Sequence, residues 1–218
     1  PLPPPPAPRP AHPPPFPADA PHRARLYHIL TGRHAGTYML TMGPLPWSAM
    51  DARPTSQEHT DDNNENVSQY LMSDVEVNYM KMHPELSNFS KDFEINKVSV
   101  FMIDIKRFKN AEFMDKVINK VVEVYKEKMP GQMYGVYTNE MQNMNGMDFG
   151  WVEFFDNSSW LGREDQFAGY FEEVHGEGSF AKFLADVEAT TDGENLEIWN
   201  LRKDLSGSNA KVIAASRQ

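Results

Sequence analysis

The order of strand-like and helix-like patterns between residues 98 and 206 constrains the fold of this chain more than any other feature. Four segments there have the composition and turn boundaries of strands, at residues 98–108, 133–141, 149–155 and 194–201. Two others, 110–128 and 167–187, carry apolar residues at helical spacing. The order is therefore βαββαβ, which predicts a complete ferredoxin-like α+β unit at residues 98–206.

The preceding segment, residues 25–97, repeats the later part of that order. Residues 26–31 and 37–42 predict a hairpin around Gly32–Gly36, and residues 75–82 predict a strand after a polar, partly helical stretch. The resulting order is ββαβ. It predicts an incomplete ferredoxin-like half that lacks the opening strand and helix.

Aromatic spacing supports a degenerate tandem repeat of these two segments. Tyr38 and Trp47 are nine residues apart, and so are Trp151 and Trp160. In each pair the tryptophan follows the strand that would be third in its unit. A repeat of this kind predicts that Tyr38 and Trp151 lie on corresponding faces of their sheets.

This element order, together with the aromatic residue after the third strand, resembles the dimeric α/β-barrel superfamily, which includes the antibiotic-biosynthesis monooxygenase-like and stress-responsive barrel proteins. The resemblance covers residues 26–206. It implies an α+β fold in which ferredoxin-like antiparallel sheets pair into a barrel. The pairing would occur in a homodimer or between the two halves of one chain. The missing first strand and helix of the first half depart from the superfamily pattern.

Composition sets the two ends of the chain apart. Residues 1–24 hold most of the chain's 17 prolines and can form neither helix nor sheet, so they predict a disordered polyproline arm. Such an arm is either a linker or upstream fragment, or a ligand for an SH3 or WW domain. Residues 207–218 are predicted to form a flexible tail.

The charge and residue content exclude several classes of function. With 21 basic and 31 acidic residues the formal net charge is −10, which opposes binding to nucleic acid or to an anionic membrane surface. The chain has no cysteine, so disulfides, thiolate catalysis and cysteine-ligated metals are excluded. No apolar run approaches the roughly 20 residues that span a bilayer.

Alternation of side chains along a strand divides residues 98–206 into two sets that face opposite sides of the sheet. The aliphatic set is assigned to the helices and comprises Phe101, Ile103, Ile105, Val136, Val152, Phe154, Leu196 and Ile198. The other set comprises Met102, Asp104, Lys106, Tyr137, Asn139, Trp151, Glu153, Glu197 and Trp199. Its mixture of aromatic and polar groups predicts a barrel lumen or ligand cavity, with an exposed face or a dimer interface as the alternatives.

Within the mixed set, Asp104 and Glu153 are the candidate catalytic pair. Two carboxylates that face one apolar space raise the pKa of one of them, which suits an acid or base at neutral pH. Neutralisation of one carboxylate by Lys106 is the alternative. The candidate ligand-binding residues are Tyr137, Asn139, Trp151, Trp199 and Tyr38.

Other motifs are less specific. The sequence has no phosphate-binding loop, dinucleotide fingerprint, nucleophile elbow or HExxH motif. His59, Asp61 and Asp62 are ligand types for a hard metal, but they also suit a helix-capping loop. His175 is either a base or haem ligand, or a helix C-terminal histidine. No metal and no cofactor is predicted.

These observations predict a small-molecule-binding or structural barrel protein, with a small apolar molecule as its ligand. The alternative is an oxygenase-like enzyme, cofactor-independent or haem-related, that acts on an apolar aromatic substrate in the barrel cavity.

Overall fold

The structure, a computed structural model, describes residues 24–52, 55–71, 75–141, 147–207 and 209–214. The predicted proline-rich arm, apart from Ala24, lies outside the described residues. The same is true of positions 142–146 in the predicted hairpin and of the last four positions of the tail.

Groups of strands are separated by helices along the described part of the chain. The strands are β1 (Ala24–Ile29), β2 (Tyr38–Met42), β3 (Met80–Met82), β4 (Phe93–Glu94), β5 (Lys97–Ile105), β6 (Tyr134–Asn139), β7 (Phe149–Phe155), β8 (Thr191–Leu201) and β9 (Lys211–Val212). The helices are α1 (Ser48–Asp51), α2 (Gln57–Asn66), α3 (Asn110–Phe113), α4 (Asn119–Lys128), α5 (Phe167–His175) and α6 (Ser179–Thr190). A π-helical turn, Met114–Ile118, joins α3 to α4.

The central part of the sheet confirms the predicted ferredoxin-like unit. Strands β8, β5, β7 and β6 are neighbours in that order, and every pairing between them is antiparallel. Helices α3 and α4 connect β5 to β6, while α5 and α6 connect β7 to β8. Pro130–Gly131 follows α4, whose last turn holds Lys126 and Lys128, as the helix-stop pattern predicted.

Strands from the first part of the chain extend this sheet at both edges. The β1–β2 hairpin pairs with β8, and β3 pairs with β6, which gives a seven-stranded antiparallel sheet in the order β2-β1-β8-β5-β7-β6-β3. The sheet curls into a half-barrel. Near its open side the rings of Trp47 and Tyr79 lie 6.3 Å apart, so the two ends of the sheet approach each other. The predicted strand at 75–82 is shorter than expected and covers only β3.

The convex face of the sheet is covered by helices α3 to α6. The buried cluster on this side joins Phe113, Val124 and Phe171 from the helices to strand residues such as Val136 and Phe149. All five are at most 1 % exposed. Burial of this apolar surface is the main source of stability for the unit.

The concave face carries a second buried cluster, formed by Tyr27, Ile29, Ile95, Val98, Val100, Met102, Trp199 and Leu201. The small two-stranded β4–β9 ribbon covers the end of the cluster where β5 begins. Phe93 and Val212 of this ribbon pack onto the cluster. Residues 209–214, which were predicted to belong to a flexible tail, pack on this cluster instead. Ala210 and Val212 contact the cluster, and Ala214 is buried.

The predicted division of the sheet faces is correct for β5, β6 and β8 but wrong for β7. Trp151 lies opposite Phe101 and Glu153 lies opposite Ser99, which puts both on the helix side. Val152 and Phe154 face the concave side instead, opposite Val100 and Val98. The sequence of β7, FGWVEFF, is apolar at both parities, so only its register with β5 decides which residues face the helices.

Tyr38 and Trp151 both point away from the concave face. Tyr38 is paired with His28, whereas its neighbour Met39 packs on the concave cluster. The repeat hypothesis predicted that these two residues lie on corresponding faces of the sheet, and they do. The repeat itself stays a prediction.

Candidate functional site

The structure brings together some of the predicted site residues and separates others. Asp104, Tyr137 and Trp199 share the concave side, because their alternation matches that of Met102 and Val98. Asn139 has the same parity as Tyr137 on β6. The other three predicted residues, Trp151, Glu153 and Tyr38, lie on the opposite side of the sheet. Asp104 and Glu153 therefore do not form the predicted carboxylate pair.

Glu153 belongs to a network between the sheet and the helices. One oxygen accepts hydrogen bonds from the Tyr125 hydroxyl and, at 3.4 Å, from the Trp151 indole. The other oxygen is 3.1 Å from an Arg163 guanidinium nitrogen. Burial and the charge of Glu153 raise the pKa of Tyr125, which keeps its hydroxyl a donor. A buried carboxylate with three donors of this kind holds the fold together.

The carboxyl neighbour of Asp104 is Asp148, which the sequence analysis did not single out. Asp148 is buried, and its Oδ2 accepts a hydrogen bond from the Ile105 backbone N–H at 3.1 Å. Burial raises the pKa of Asp148, the Ile105 bond partly offsets this, and Asp104 adds to the rise. Lys106 does not supply the predicted neutralising bond, since its ammonium group donates to the Glu188 carbonyl.

Asn139 ties down the end of β6. Its amide nitrogen donates to Asn78 Oδ1 at 3.0 Å and to the Met147 carbonyl at 2.9 Å. Its amide oxygen accepts from the Met141 N–H at 3.0 Å. These contacts engage both polar atoms of the side chain, so in this structure Asn139 positions the strand end.

Two tyrosine hydroxyls and one arginine interact across the concave face. Burial raises the pKa of Tyr27 and that of Tyr137 to about 12, and the positive charge of Arg25 lowers both slightly. The Tyr137 ring lies over Gly135, where an added β-carbon would be 2.8 Å from Tyr137 Cε2. Tyr27 also packs at 5.9 Å from the Trp199 ring. The group supplies hydrogen-bond donors that stay protonated at neutral pH.

The most elaborate polar arrangement on the concave side surrounds Glu197, whose side chain is fully buried. Oε1 accepts from the His34 backbone N–H at 3.2 Å, from Asn195 Nδ2 at 2.9 Å, and lies 2.7 Å from His34 Nδ1. Oε2 accepts from Trp199 Nε1 at 2.8 Å. Four N–H groups thus fix one carboxylate in place.

The loop between β1 and β2 holds His34 against this carboxylate. Gly32 and Gly36 both have a positive φ, +82° and +88°, which allows a tight turn on either side of the histidine. Thr37 Oγ1 donates to the His34 carbonyl at 2.7 Å. Gly32 also passes so close to Glu197 that a side chain at position 32 would collide with it. The loop is therefore shaped around the His34–Glu197 pair.

Sequence reasoning did not assign a role to His34. The available signal was a histidine between two turn glycines, together with Glu197 flanked by Asn195 and Trp199 on the mixed face. The pairing of β1 with β8 is what joins these two signals.

The other histidine motifs take the ordinary structural interpretation. His59 lies in the first turn of α2, where its backbone N–H is capped by Ser56. His175 ends α5, and its Nε2 lies 3.1 Å from the Lys120 carbonyl. Within the ranges that the structure describes, no three acidic or histidine side chains cluster as metal ligands. No described helix is long and apolar enough to cross a membrane.

Comparison with known proteins finds similarity at the level of the fold. No protein-family model matches the sequence, and no curated protein matches it. The chain is similar to the solved structure of an anthrone oxidase-like protein, with a TM-score of 0.52 and 9 % identity over 91 % of this chain and 85 % of that one.

Two further solved structures are candidate monooxygenases from bacteria. The protein from Lactobacillus acidophilus gives a TM-score of 0.48 and 12 % identity over 88 % of this chain and 81 % of its own. The protein from Fusobacterium nucleatum gives a TM-score of 0.49 and 16 % identity over 83 % of this chain and 76 % of its own. The α+β half-barrel fold of the chain is similar to the fold of the anthrone oxidase-like protein, whose TM-score is the one of the three above 0.5.

Proposed function

We propose that the chain binds a small apolar molecule with an aromatic ring on the concave face of its half-barrel. The observation that carries this proposal is the composition of that face. Tyr27, Trp199 and several methionines supply apolar walls. Polar groups occupy only a few positions on this face. A pocket lined in this way binds an apolar body and orients it by a few hydrogen bonds.

A glycine and several adaptable side chains lie on this face. Gly150 faces the concave side, and an added β-carbon there would make only ordinary contacts with Met80 and Tyr137. Met39, Met102 and Met147 pack on the concave cluster. Methionine has three rotatable bonds and a polarizable sulfur, so these side chains can rearrange around a ligand.

The test is a fluorescence titration with 2-tetralone, a bicyclic aromatic ketone. Binding on the concave face should change the emission of Trp199, so Trp199→Phe should remove most of the ligand-dependent change. Trp47→Phe is the matched control, because Trp47 is half-exposed and lies at the open side of the sheet. An equal loss of signal in both variants, or no saturable signal in the native protein, would contradict the proposal.

The second candidate is oxygenase-like turnover of an aromatic substrate on the same face. It is supported by the aromatic lining and by the similar fold of the anthrone oxidase-like protein. Fold alone does not decide activity. Oxygen uptake on addition of anthrone, measured with an oxygen electrode, should exceed the rate without protein if this candidate is correct. A Soret absorption band in the purified protein would favour the haem-related form.

A further inference from the structure

Three histidines in the described part of the chain lie near a glutamate, and one of the three pairs differs from the others. The nitrogen–oxygen distances are 2.7 Å for His34–Glu197, 3.0 Å for His83–Glu85 and 3.7 Å for His175–Glu123. The Glu85 and Glu123 side chains are 66 % and 62 % exposed, whereas that of Glu197 is 0 % exposed. Only a carboxylate shielded from water interacts strongly with a histidine beside it.

The second ring nitrogen separates the pairs further. His83 Nε2 lies 2.8 Å from Thr138 Oγ1, and His175 Nε2 lies 3.1 Å from the Lys120 carbonyl. His34 Nε2 has no hydrogen-bond partner among the described residues, and the side chain is 41 % exposed. His34 therefore combines an Nδ1 held by Glu197 with an Nε2 on a partly exposed ring.

The hydrogen bonds around Glu197 define which nitrogen of His34 carries the proton. Both Glu197 oxygens accept from N–H groups that can only donate, those of the His34 backbone, Asn195 and Trp199, so the carboxyl group is the acceptor in the short contact as well and His34 Nδ1 carries the hydrogen. In the neutral imidazole the lone pair then lies on Nε2. Glu197 cannot rotate away, since Asn195 and Trp199 also donate to it. The pair is a pre-oriented base.

The hydroxyl groups of the β1–β2 loop are held by backbone groups. Thr31 Oγ1 accepts from the Ile198 N–H at 2.9 Å, and Thr37 Oγ1 donates to the His34 carbonyl. Both hydroxyls of the loop are engaged with backbone groups, and the chain has no cysteine. A base of this kind without a nucleophile suits a substrate that carries an acidic hydrogen.

We infer that His34 is a general base, positioned by Glu197, that removes a proton from the carbon next to the carbonyl of an apolar aromatic ketone. In this step the C–H bond breaks and an N–H bond forms at Nε2. The electron pair moves to the carbonyl oxygen and gives an enolate. The same nitrogen then returns the proton to carbon or to oxygen, so no oxidant or second substrate is consumed. The inference rests on the proposed binding of such molecules on the concave face.

The experiment follows hydrogen–deuterium exchange at the activated CH₂ of 2-tetralone in D₂O by proton NMR, with the rate in buffer subtracted. Native protein should accelerate the exchange, and His34→Gln should slow the protein-dependent rate about 100-fold or more. His83→Gln is the matched control, because it removes a histidine whose ring nitrogens are both bonded. The His83→Gln variant should accelerate the exchange of 2-tetralone as much as the native protein does.

Glu197→Ala and Glu197→Gln test positioning separately. Alanine removes the acceptor of the Nδ1–H, so we expect a shift of His34 toward the Nε2–H tautomer in ¹⁵N NMR together with loss of exchange. Glutamine keeps an amide oxygen at the Oε1 position, where the His34 backbone N–H and Asn195 also donate, so it should retain the Nδ1–H tautomer and more of the exchange than alanine does. Far-UV circular dichroism should be unchanged in both variants, and an equal loss of exchange with no difference in tautomer would contradict the positioning role.

Binding and exchange are measured on the same samples, so the two proposals fail differently. Saturable Trp199 quenching without accelerated exchange, or with exchange that survives in His34→Gln, would overturn the base assignment and leave the binding function standing. Absence of binding would contradict the proposed function and the base assignment with it.

Discussion

His34 Nδ1 lies 2.7 Å from Glu197 Oε1, although 163 residues separate the two in the chain. The contact depends on a third position, Gly32, which passes directly beside the glutamate side chain. A β-carbon at position 32 would lie 2.7 Å from Glu197 Cγ and 3.0 Å from the Leu196 carbonyl oxygen. Glu197 therefore requires a glycine at position 32, and the loop in turn holds His34 beside Glu197.

We expect Gly32→Ala to lower the free energy of unfolding by about 2–4 kcal/mol, since it adds a backbone collision to the strain of a positive φ. Gly36→Ala is the matched control: its φ is also positive, but nothing lies within 4 Å of the added carbon. That variant should lose only about 1–2 kcal/mol. Urea denaturation measures both, and equal losses would show that Glu197 does not crowd position 32.

Trp151→Ala should destabilise the fold rather than merely remove a binding surface. Its ring stacks on Tyr134 at 4.3 Å and packs edge-on against Tyr125 at 4.9 Å. Loss of a buried tryptophan costs about 3–5 kcal/mol. Thermal unfolding of Trp47→Ala provides the comparison, with an expected loss below about 1 kcal/mol because that ring is half-exposed. A stable Trp151→Ala protein would argue that the ring is not part of the core.

Stability should fall between pH 10 and pH 12 as buried tyrosines ionise. Burial raises the pKa of Tyr27 and of Tyr137 from 10.0 to about 12. Their contribution to the free energy of unfolding is thus complete below the pKa that they have in the unfolded chain. It is lost as the pH rises through the pKa that they have in the folded protein. In the double variant Tyr27→Phe, Tyr137→Phe, the decline of unfolding free energy over this range should be shallower. Tyr70→Phe, at a largely exposed position, should leave the pH profile unchanged.

Asp148→Asn should stabilise the protein at pH 7. The folded pKa of Asp148 is raised, mainly by burial, so its favourable contribution exists at acid pH and is lost as the pH rises through that value. Asparagine keeps an oxygen for the Ile105 N–H and removes the buried charge beside Asp104. Asp192→Asn, an exposed change of the same charge, is the control. A melting temperature at pH 7 that does not rise above the control would contradict the expectation.

The sequence was sufficient to predict the elements whose patterns are local. The helical stripe from Asn110 and the alternation of β5 predicted the βαββαβ unit correctly. The facing of Trp151 could not be predicted, since β7 is apolar at both parities and register is set by a distant strand. The His34–Glu197 pair was missed for the same physical reason: it exists only where β1 meets β8.

The pairing of β1 with β8 also has a consequence for the order of folding. The contacts that dock the hairpin, such as Leu26 N to Ser206 Oγ, span 180 residues, whereas the contact of Lys97 with Asn200, between the two outermost elements of the β5–β8 unit in the sequence, spans 103. Long-range contacts form late because closing a long loop costs entropy before any contact rewards it. The unit should thus assemble first and the hairpin should dock last, carrying His34 to Glu197. Because β1 joins the sheet at one edge, through β8, the hairpin that completes the candidate site can detach while the β5–β8 unit stays folded.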